Sequence, residues 1–185
     1  DPYLSRGLGD VYKRQGREEA LFAGLVEDTR RLGITRLYPF LGPMDATGHP
    51  GWRSDTGIQR YDPDRVKRFF DAMHAARPEL RIHPWTGGVL DRDVKFSDTE
   101  RLAAFVAHTR AIVDLGADGV QLNVEPLPDG TAAYLDLLRA VKAAIGPDKT
   151  LSVAAYPPTT LLHPFEEVHW SLEYSRQVLS LIHIS

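Results

Sequence analysis

Gln121, Asn123 and Glu125 stand at alternate positions in the stretch Asp-Gly-Val-Gln-Leu-Asn-Val-Glu-Pro, residues 118 to 126. Side chains of a strand point alternately to opposite faces, so these three share one face while Val120, Leu122 and Val124 share the other. A strand that is oily on one side and carries amide, amide and carboxylate on the other suits a surface leading up to a reaction centre. Glu125 is the candidate proton donor, because a carboxyl flanked by Val124, Pro126 and aromatic groups is favoured in its protonated form. Asn123, one pleat below, can hold that acid in place or donate a hydrogen bond to a substrate. The same alternation also suits a polar network that merely fills a lumen, and spacing does not choose between the two.

Elements on either side must position this strand. Glu18 to Leu32 places Leu21, Leu25 and Leu32 at helical spacing and stops at Gly33, and Ile34 to Phe40 follows as a strand. A long loop, Leu41 to Tyr61, comes next. Asp62 caps a second helix with Pro63 at its first position, and Val66, Phe69, Phe70 and Met73 form its apolar stripe. Leu80 to Trp85 reads as the next strand. Ser97 and Glu100 are spaced as a capping box for a third helix, striped by Leu102, Phe105, Val106, Thr109 and Val113. A fourth helix carries Tyr134, Leu137, Leu138, Val141 and Ile145, ends at Gly146-Pro147, and leads into a strand at Thr150 to Tyr156. His163 to Val178 begins a further helix.

This alternation predicts an α/β chain with parallel strands, either an open doubly wound sheet or a closed barrel. Inward polarity separates them. Central strands of an open sheet are covered on both faces and read as continuous apolar runs. Here Arg81, His83 and Trp85 alternate with Leu80, Ile82 and Pro84, and Ser152, Ala154 and Tyr156 with Leu151, Val153 and Ala155. One oily and one mixed face suit a partial (β/α)8 TIM barrel of about four β/α units. Its active end is the C-terminal end of the strands, where Trp85, Glu125 and Tyr156 would converge. Half a barrel leaves two unpaired parallel edges, so the chain by itself is expected to aggregate or fold poorly.

Composition narrows the chemistry. At 185 residues, 43% hydrophobic and 25% charged, the chain has room for one ordinary domain. A net charge of -3 with scattered Lys and Arg offers no basic field for nucleic acid, and no stretch reads as a membrane span. Zero cysteines exclude disulfides, thiolate nucleophiles and Cys-type metal sites, and leave the compartment undecided. The seven His residues show no HExxH or His-x-His spacing, so no metal or other cofactor is expected. Thr86-Gly87-Gly88 lacks any P-loop context and reads as a tight strand-end turn.

Trp85 and Tyr156 offer flat apolar faces for sugar rings, or ordinary core packing. In the long loop, Asp45, His49, Trp52 and Arg53 would overhang the mouth and touch substrate, or simply cap the surface. The two ends show no periodicity joining them to the rest. Asp10 to Gln15 (DVYKRQ) and Ser180 to Ser185 (SLIHIS) resemble translated sequencing-adapter read-through at the ends of metagenomic reading frames. On that resemblance residues 1–15 and 179–185 are non-native tails and residues 16–178 are the domain.

DGVQLNVEP also resembles a degenerate form of the DGxDxDxE signature on the fourth barrel strand of family-18 glycoside hydrolases, the chitinase-like group. LRIHPWTGGV is similar to that family's third strand, ending in the pair Gly87 and Gly88, with Trp85 where a serine usually stands. TLSVAAYPP resembles the fifth strand, and HWSLEYSRQV the helix preceding the sixth. The resemblance implies that Glu125 is the general acid and Asp118 the first, buried Asp of the motif. Gln121 and Asn123 replace two carboxylates that in the family share protons and orient the substrate's N-acetyl group. An amide can still orient an acetamido group, and Asn-x-Glu is similar to the pair in family-85 endo-glycosaminidases. The implied substrate is therefore an N-acetylhexosamine-type polysaccharide, cleaved with substrate assistance. The Tyr and Asp of strand six that complete the family's site are not in this sequence, so the resemblance implies no turnover by the chain alone. Two alternatives stay open: a clan-A type retaining glycosidase, which expects Asn in place of Val124, and a carbohydrate-binding barrel that has lost its carboxylate relay.

Overall fold

The computed structural model describes residues 18–54, 57–156 and 169–182, with the backbone alone at 18, 19, 52–54, 57 and 58. In chain order the elements are α1 (Glu18–Arg31), β1 (Arg36–Leu37), β2 (Phe40–Pro43), β3 (Gly51–Ser54), β4 (Gly57–Arg60) and α2 (Pro63–Ala76). There follow β5 (Arg81–Ile82), β6 (Trp85–Val89), α3 (Thr99–Asp114), β7 (Gly119–Glu125), α4 (Ala132–Ile145), β8 (Thr150–Val153) and α5 (Leu172–Ile182). Strands β2, β6, β7 and β8 lie side by side in that order, all parallel, and β1 pairs with β5 in parallel at the start of the first two. Successive parallel strands joined through helices give the partial (β/α)8 barrel that the strand polarity predicts.

The helical stripes form the outer half of the core. Val66, Phe69, Phe70 and Met73 of α2 are all buried, as are Tyr134, Leu137, Leu138, Val141 and Ile145 of α4. On β7, Val120, Leu122 and Val124 are buried while Gln121 and Asn123 are half-buried, so the strand turns its oily side to the helices. Asp62 caps α2 with Pro63 at the first position, its Oδ1 accepting from the N–H groups of Asp64 and Arg65 at 3.0 and 3.4 Å.

Five local expectations change. Each of the first two strands is split by a proline: Tyr38-Pro39 separates β1 from β2, and His83-Pro84 separates β5 from β6. Proline has no N–H for the ladder. The carbonyls still pair, Trp85 N–H reaching Pro39 O at 2.8 Å and Gln121 N–H reaching Pro84 O at 2.9 Å, so the chain direction is kept. The expected loop from Leu41 to Tyr61 instead holds the last residues of β2 and an antiparallel hairpin, β3 against β4, with Trp52 opposite Gln59. The third helix is capped by Asp98 rather than Ser97, because its carboxylate stands one residue nearer and accepts from Arg101 N–H at 3.0 Å. Leu32, expected on the inner stripe of α1, lies beyond its last turn and is exposed. Of the expected helix from His163 to Val178, residues 163–168 lie outside the described residues, and α5 runs from Leu172 through Val178 to Ile182.

Candidate functional site

Register places the chemistry. Trp85 of β6 pairs with Gln121 of β7, Gly87 with Asn123 and Val89 with Glu125. On the other side of β6, Phe40 pairs with Trp85. These pairings draw Phe40, Pro43, Trp85, Gly88, Val89, Arg92, Asp93, Asn123 and Glu125 around one cleft of about 350 Å³ at the C-terminal end of the strands. That volume lies at the small end of ligand pockets, which run from roughly 300 to 1,000 Å³.

Two glycines make the cleft. Both Gly87 and Gly88 have strongly positive φ, 140° and 136°, which side-chain-bearing residues rarely adopt. A Cβ on Gly87 would overlap the Asn123 carbonyl, and one on Gly88 would strike Asp93. Only glycine lets β6 press against β7 here while the turn carrying Arg92 and Asp93 folds over.

The cleft walls differ in character. Phe40 and Trp85 form an aromatic side, with ring centroids 4.4 Å apart and planes tilted by 47°. Asn123 also lines the cleft, and its buried Oδ1 accepts no hydrogen bond among the described residues. An unmet acceptor in a buried place is costly unless a ligand or water supplies the donor. The Glu125 carboxyl is exposed at the rim and makes no hydrogen bond or ion pair among the described residues, so it is available to a substrate, while the Glu125 backbone carbonyl accepts from Leu90 N–H at 3.0 Å. Its peptide bond to Pro126 is cis. Tyr156, expected at the same mouth, does not line the cleft but lies within reach of the Glu125 charge: burial first, and then that charge, push the Tyr156 hydroxyl up from 10.0, against a hydrogen bond from the Leu127 backbone. The Tyr156 ring also meets Trp170 edge-on, with centroids 5.9 Å apart.

Other residues singled out in the sequence lie elsewhere. Gln121 is half-buried lower on β7, opposite Trp85 and Ser152, and does not line the cleft. Asp45 holds its own loop. Its Oδ1 accepts from the N–H groups of Thr47 and His49 at 2.8 and 3.0 Å, and its Oδ2 from Arg60 Nε at 2.9 Å. Partial burial pulls that carboxyl upward, but the hydrogen bonds from Thr47, Arg60 and the backbone outweigh it and bring it from 3.8 to about 2. Occupied in this way, Asp45 has little left for a ligand. The backbone of Trp52 lies in β3, and its side chain is outside the described residues. Asp118 sits just before β7, at the end of the barrel away from the cleft. It accepts from Ile82 N–H at 2.8 Å, lies 2.9 Å from His74 Nε2, and accepts from Arg81 at 3.3 Å. It therefore ties β5 and α2 to β7.

Phe40, Pro43, Arg92 and Asp93 were missed as site residues. For the last two a signal existed: they follow the Gly-Gly end of a barrel strand, where such folds carry their functional loops.

Beneath the cleft strands, His83 is 2% exposed and neither ring nitrogen has a hydrogen-bond partner among the described residues. Burial first lowers its pKa from 6.5; the nearby Asp118 charge opposes this, while Arg36 and Arg81 reinforce it. The fold thus prefers neutral His83 and the unfolded chain takes up its proton first, so this group's stabilisation is lost as pH falls below 6.5. His108 is shifted in the same direction. Asp118 follows the same direction, although in its case the charged form is the one the fold prefers. Burial raises it, but the Ile82 N–H, His74 and Arg81 outweigh that and hold it below 3.8, so its stabilisation persists above 3.8 and is lost below. Urea midpoints are expected to fall between pH 7.5 and 5.5, and by less in His83→Leu. An undiminished fall in that variant would assign the effect to other groups.

Comparisons with known proteins bear on the fold. No protein-family profile matches the chain, and no curated protein matches it. Among solved structures, a family-18 chitinase from Cycas revoluta in complex with allosamidin is 19% identical with a TM-score of 0.56, over 76% of this chain and 44% of that one. The same enzyme with (GlcNAc)3 gives 18% identity and a TM-score of 0.54 over the same shares. The fold is that of part of a chitinase barrel. The chain spans less than half the length of these chitinases.

Proposed function

We propose that the chain carries the acid-bearing part of a glycoside hydrolase acting on N-acetylhexosamine-type oligosaccharides. The observation that carries this is the cleft itself, in which Glu125 stands unpaired at the mouth, one pleat above Asn123 and its unmet buried oxygen. The two are roughly 7 Å apart along the strand, one pleat repeat. The likeness in fold to chitinases crystallised with allosamidin and (GlcNAc)3 supports a sugar as the ligand.

In this reading a sugar ring lies on Phe40 and Trp85, whose faces are apolar and flat. Asn123 orients the acetamido group, so that its carbonyl oxygen can attack the anomeric carbon as the glycosidic bond breaks. Glu125 gives its proton to the departing oxygen. Water then opens the cyclic intermediate, and Glu125 takes a proton back. Tyr156 stands beside the acid as an aromatic flank.

The amides at 121 and 123 favour a second reading, a carbohydrate-binding barrel without turnover. The complete reading frame separates these. A Tyr and Asp at the end of strand six support the hydrolase, a strand-seven Glu points to a clan-A type glycosidase, and neither leaves the binding barrel.

A further inference from the structure

A pair of histidines clasps the loop between β2 and β3 to α3, and the proposed chemistry does not use it. The loop, Met44 to Pro50, is pressed onto the helix at Gly48, which has a φ of 82° and where a Cβ would overlap the Arg101 carbonyl and the Phe105 nitrogen. Arg101 Nη2 reaches Met44 O at 3.4 Å. Beside this contact the rings of His49, from the loop, and His108, from α3, meet with centroids 3.4 Å apart and planes tilted by 45°. The base of the loop is also a wall of the cleft, because Pro43 lines it and Met44 N–H donates to Gly87 O at 2.8 Å.

Hydrogen bonding places the protons. The Thr47 hydroxyl gives its one hydrogen to Asp45 Oδ1 at 2.8 Å and accepts from Arg60 Nη2 at 2.7 Å. Its third partner, His49 Nδ1 at 2.8 Å, must therefore donate, so a further proton on His49 goes to Nε2. The charged groups around the pair are Asp45 from the loop, Arg60 from β4 and Arg101 from α3. Asp45 favours charge on the rings, but its oxygens already serve Thr47, His49 and Arg60, and the two guanidiniums oppose it. One imidazolium against a neutral ring is tolerated in such a place, whereas two in contact beside Arg60 repel. We infer that the His49–His108 pair is an acid-operated clasp, holding the loop on α3 while either ring is neutral and releasing it, with the β2 wall of the cleft, when both are charged. Burial first, and then the charges of His49 and Arg60, lower His108 from 6.5 against the pull of Asp45. A base held below its free value takes up its proton more readily once the loop lifts, so the clasp is at full strength above pH 6.5 and weakens as pH falls below it. The device acts whatever ligand the cleft takes.

The test is hydrogen exchange, followed by mass spectrometry, of this chain and two variants, His108→Gln and His108→Lys, at pH 7.5 and 5.0 with intrinsic rates divided out. Asp45, brought to about 2, is charged at both values and contributes no change. The amides of Met44, Asp45, Thr47, Gly48 and His49 are all hydrogen-bonded and report the loop. In the unaltered chain their protection is expected to fall roughly tenfold more than that of α4 between the two pH values, within the limit of about tenfold per pH unit that one titrating ring sets below 6.5. His108→Gln, which cannot charge, should lose this difference. His108→Lys, charged at both values, should show the loosened loop at pH 7.5 already. His108 is only half-buried, so neither variant should disturb the fold, and circular dichroism checks this. No loss beyond that of α4 in the unaltered chain, an undiminished loss in His108→Gln, or a loop as protected in His108→Lys as in the unaltered chain at pH 7.5 would each overturn the clasp.

Discussion

Replacing Glu125 by Gln in the complete barrel is expected to lower hydrolysis of an N-acetylglucosamine oligomer by about a hundredfold or more, with oligosaccharide affinity nearly unchanged. Gln has the shape of the acid and keeps its hydrogen-bonding reach, but it has no proton to give a leaving oxygen. The rim position of Glu125 makes this a clean substitution. Its carboxyl has no hydrogen bond or ion pair among the described residues, so the exchange leaves no buried partner unmet. The oily half of β7, with Val120 and Leu122 at 0% exposure, is untouched. Turnover of synthetic aryl glycosides with good leaving groups should suffer less than that of the oligomer, because an acidic leaving group needs little protonation. Steady-state rates on both substrates, with binding followed by Trp fluorescence, check the prediction. Equal turnover by the variant would remove Glu125 from the mechanism.

Trp170→Ala should destabilise the chain by about 3–5 kcal/mol, the usual cost of deleting a buried large aromatic side chain. Trp170 is 1% exposed and sits at the centre of a ring cluster with Tyr134, Tyr156 and Tyr174, at centroid distances of 6.3, 5.9 and 5.2 Å. Its indole N–H also donates to Leu127 O at 3.0 Å, two residues beyond Glu125. One side chain therefore joins the approach to α5, the chain leaving β7 and the aromatic beside the acid. Trp170→Phe keeps most of the ring contact and loses the indole hydrogen bond, so it should cost about 1 kcal/mol from that bond plus a smaller packing loss. Urea denaturation of the three proteins at pH 7.5 measures both. If Trp170→Ala cost less than 1 kcal/mol, the cluster would not hold the segment.

How much of this was legible beforehand differs by element. The stripe of α2 is legible residue for residue, and that of α4 in all but the buried Leu135, since a strong helical period over about 14 residues leaves few ways to bury it. The alternation on β7 was equally plain. The proline breaks were not, because Pro39 and Pro84 interrupt the ladder without changing the run of apolar residues around them. The β3–β4 hairpin carries no two-residue turn signal of the Asn-Gly kind, and its pairing depends on contacts made after the chain has folded. Asp45 illustrates a different limit: its type suggests a ligand contact, and only the geometry shows its two oxygens already occupied by Thr47, His49 and Arg60.

For the site, local sequence determined that Gln121, Asn123 and Glu125 share a face, because the two-residue period of a strand is a property of its backbone. It also determined that a parallel barrel, with its active end at the strand C-termini, was the architecture to expect. Which residues meet at that end was decided by tertiary structure alone. Register between strands sets Trp85 against Gln121 and leaves Asn123 beside a glycine, and that register depends on positive-φ turns at Gly87 and Gly88 and on a buried Asp93. Partners more than 30 residues apart cannot be read from local periodicity, because their meeting is selected by the packing of the whole core.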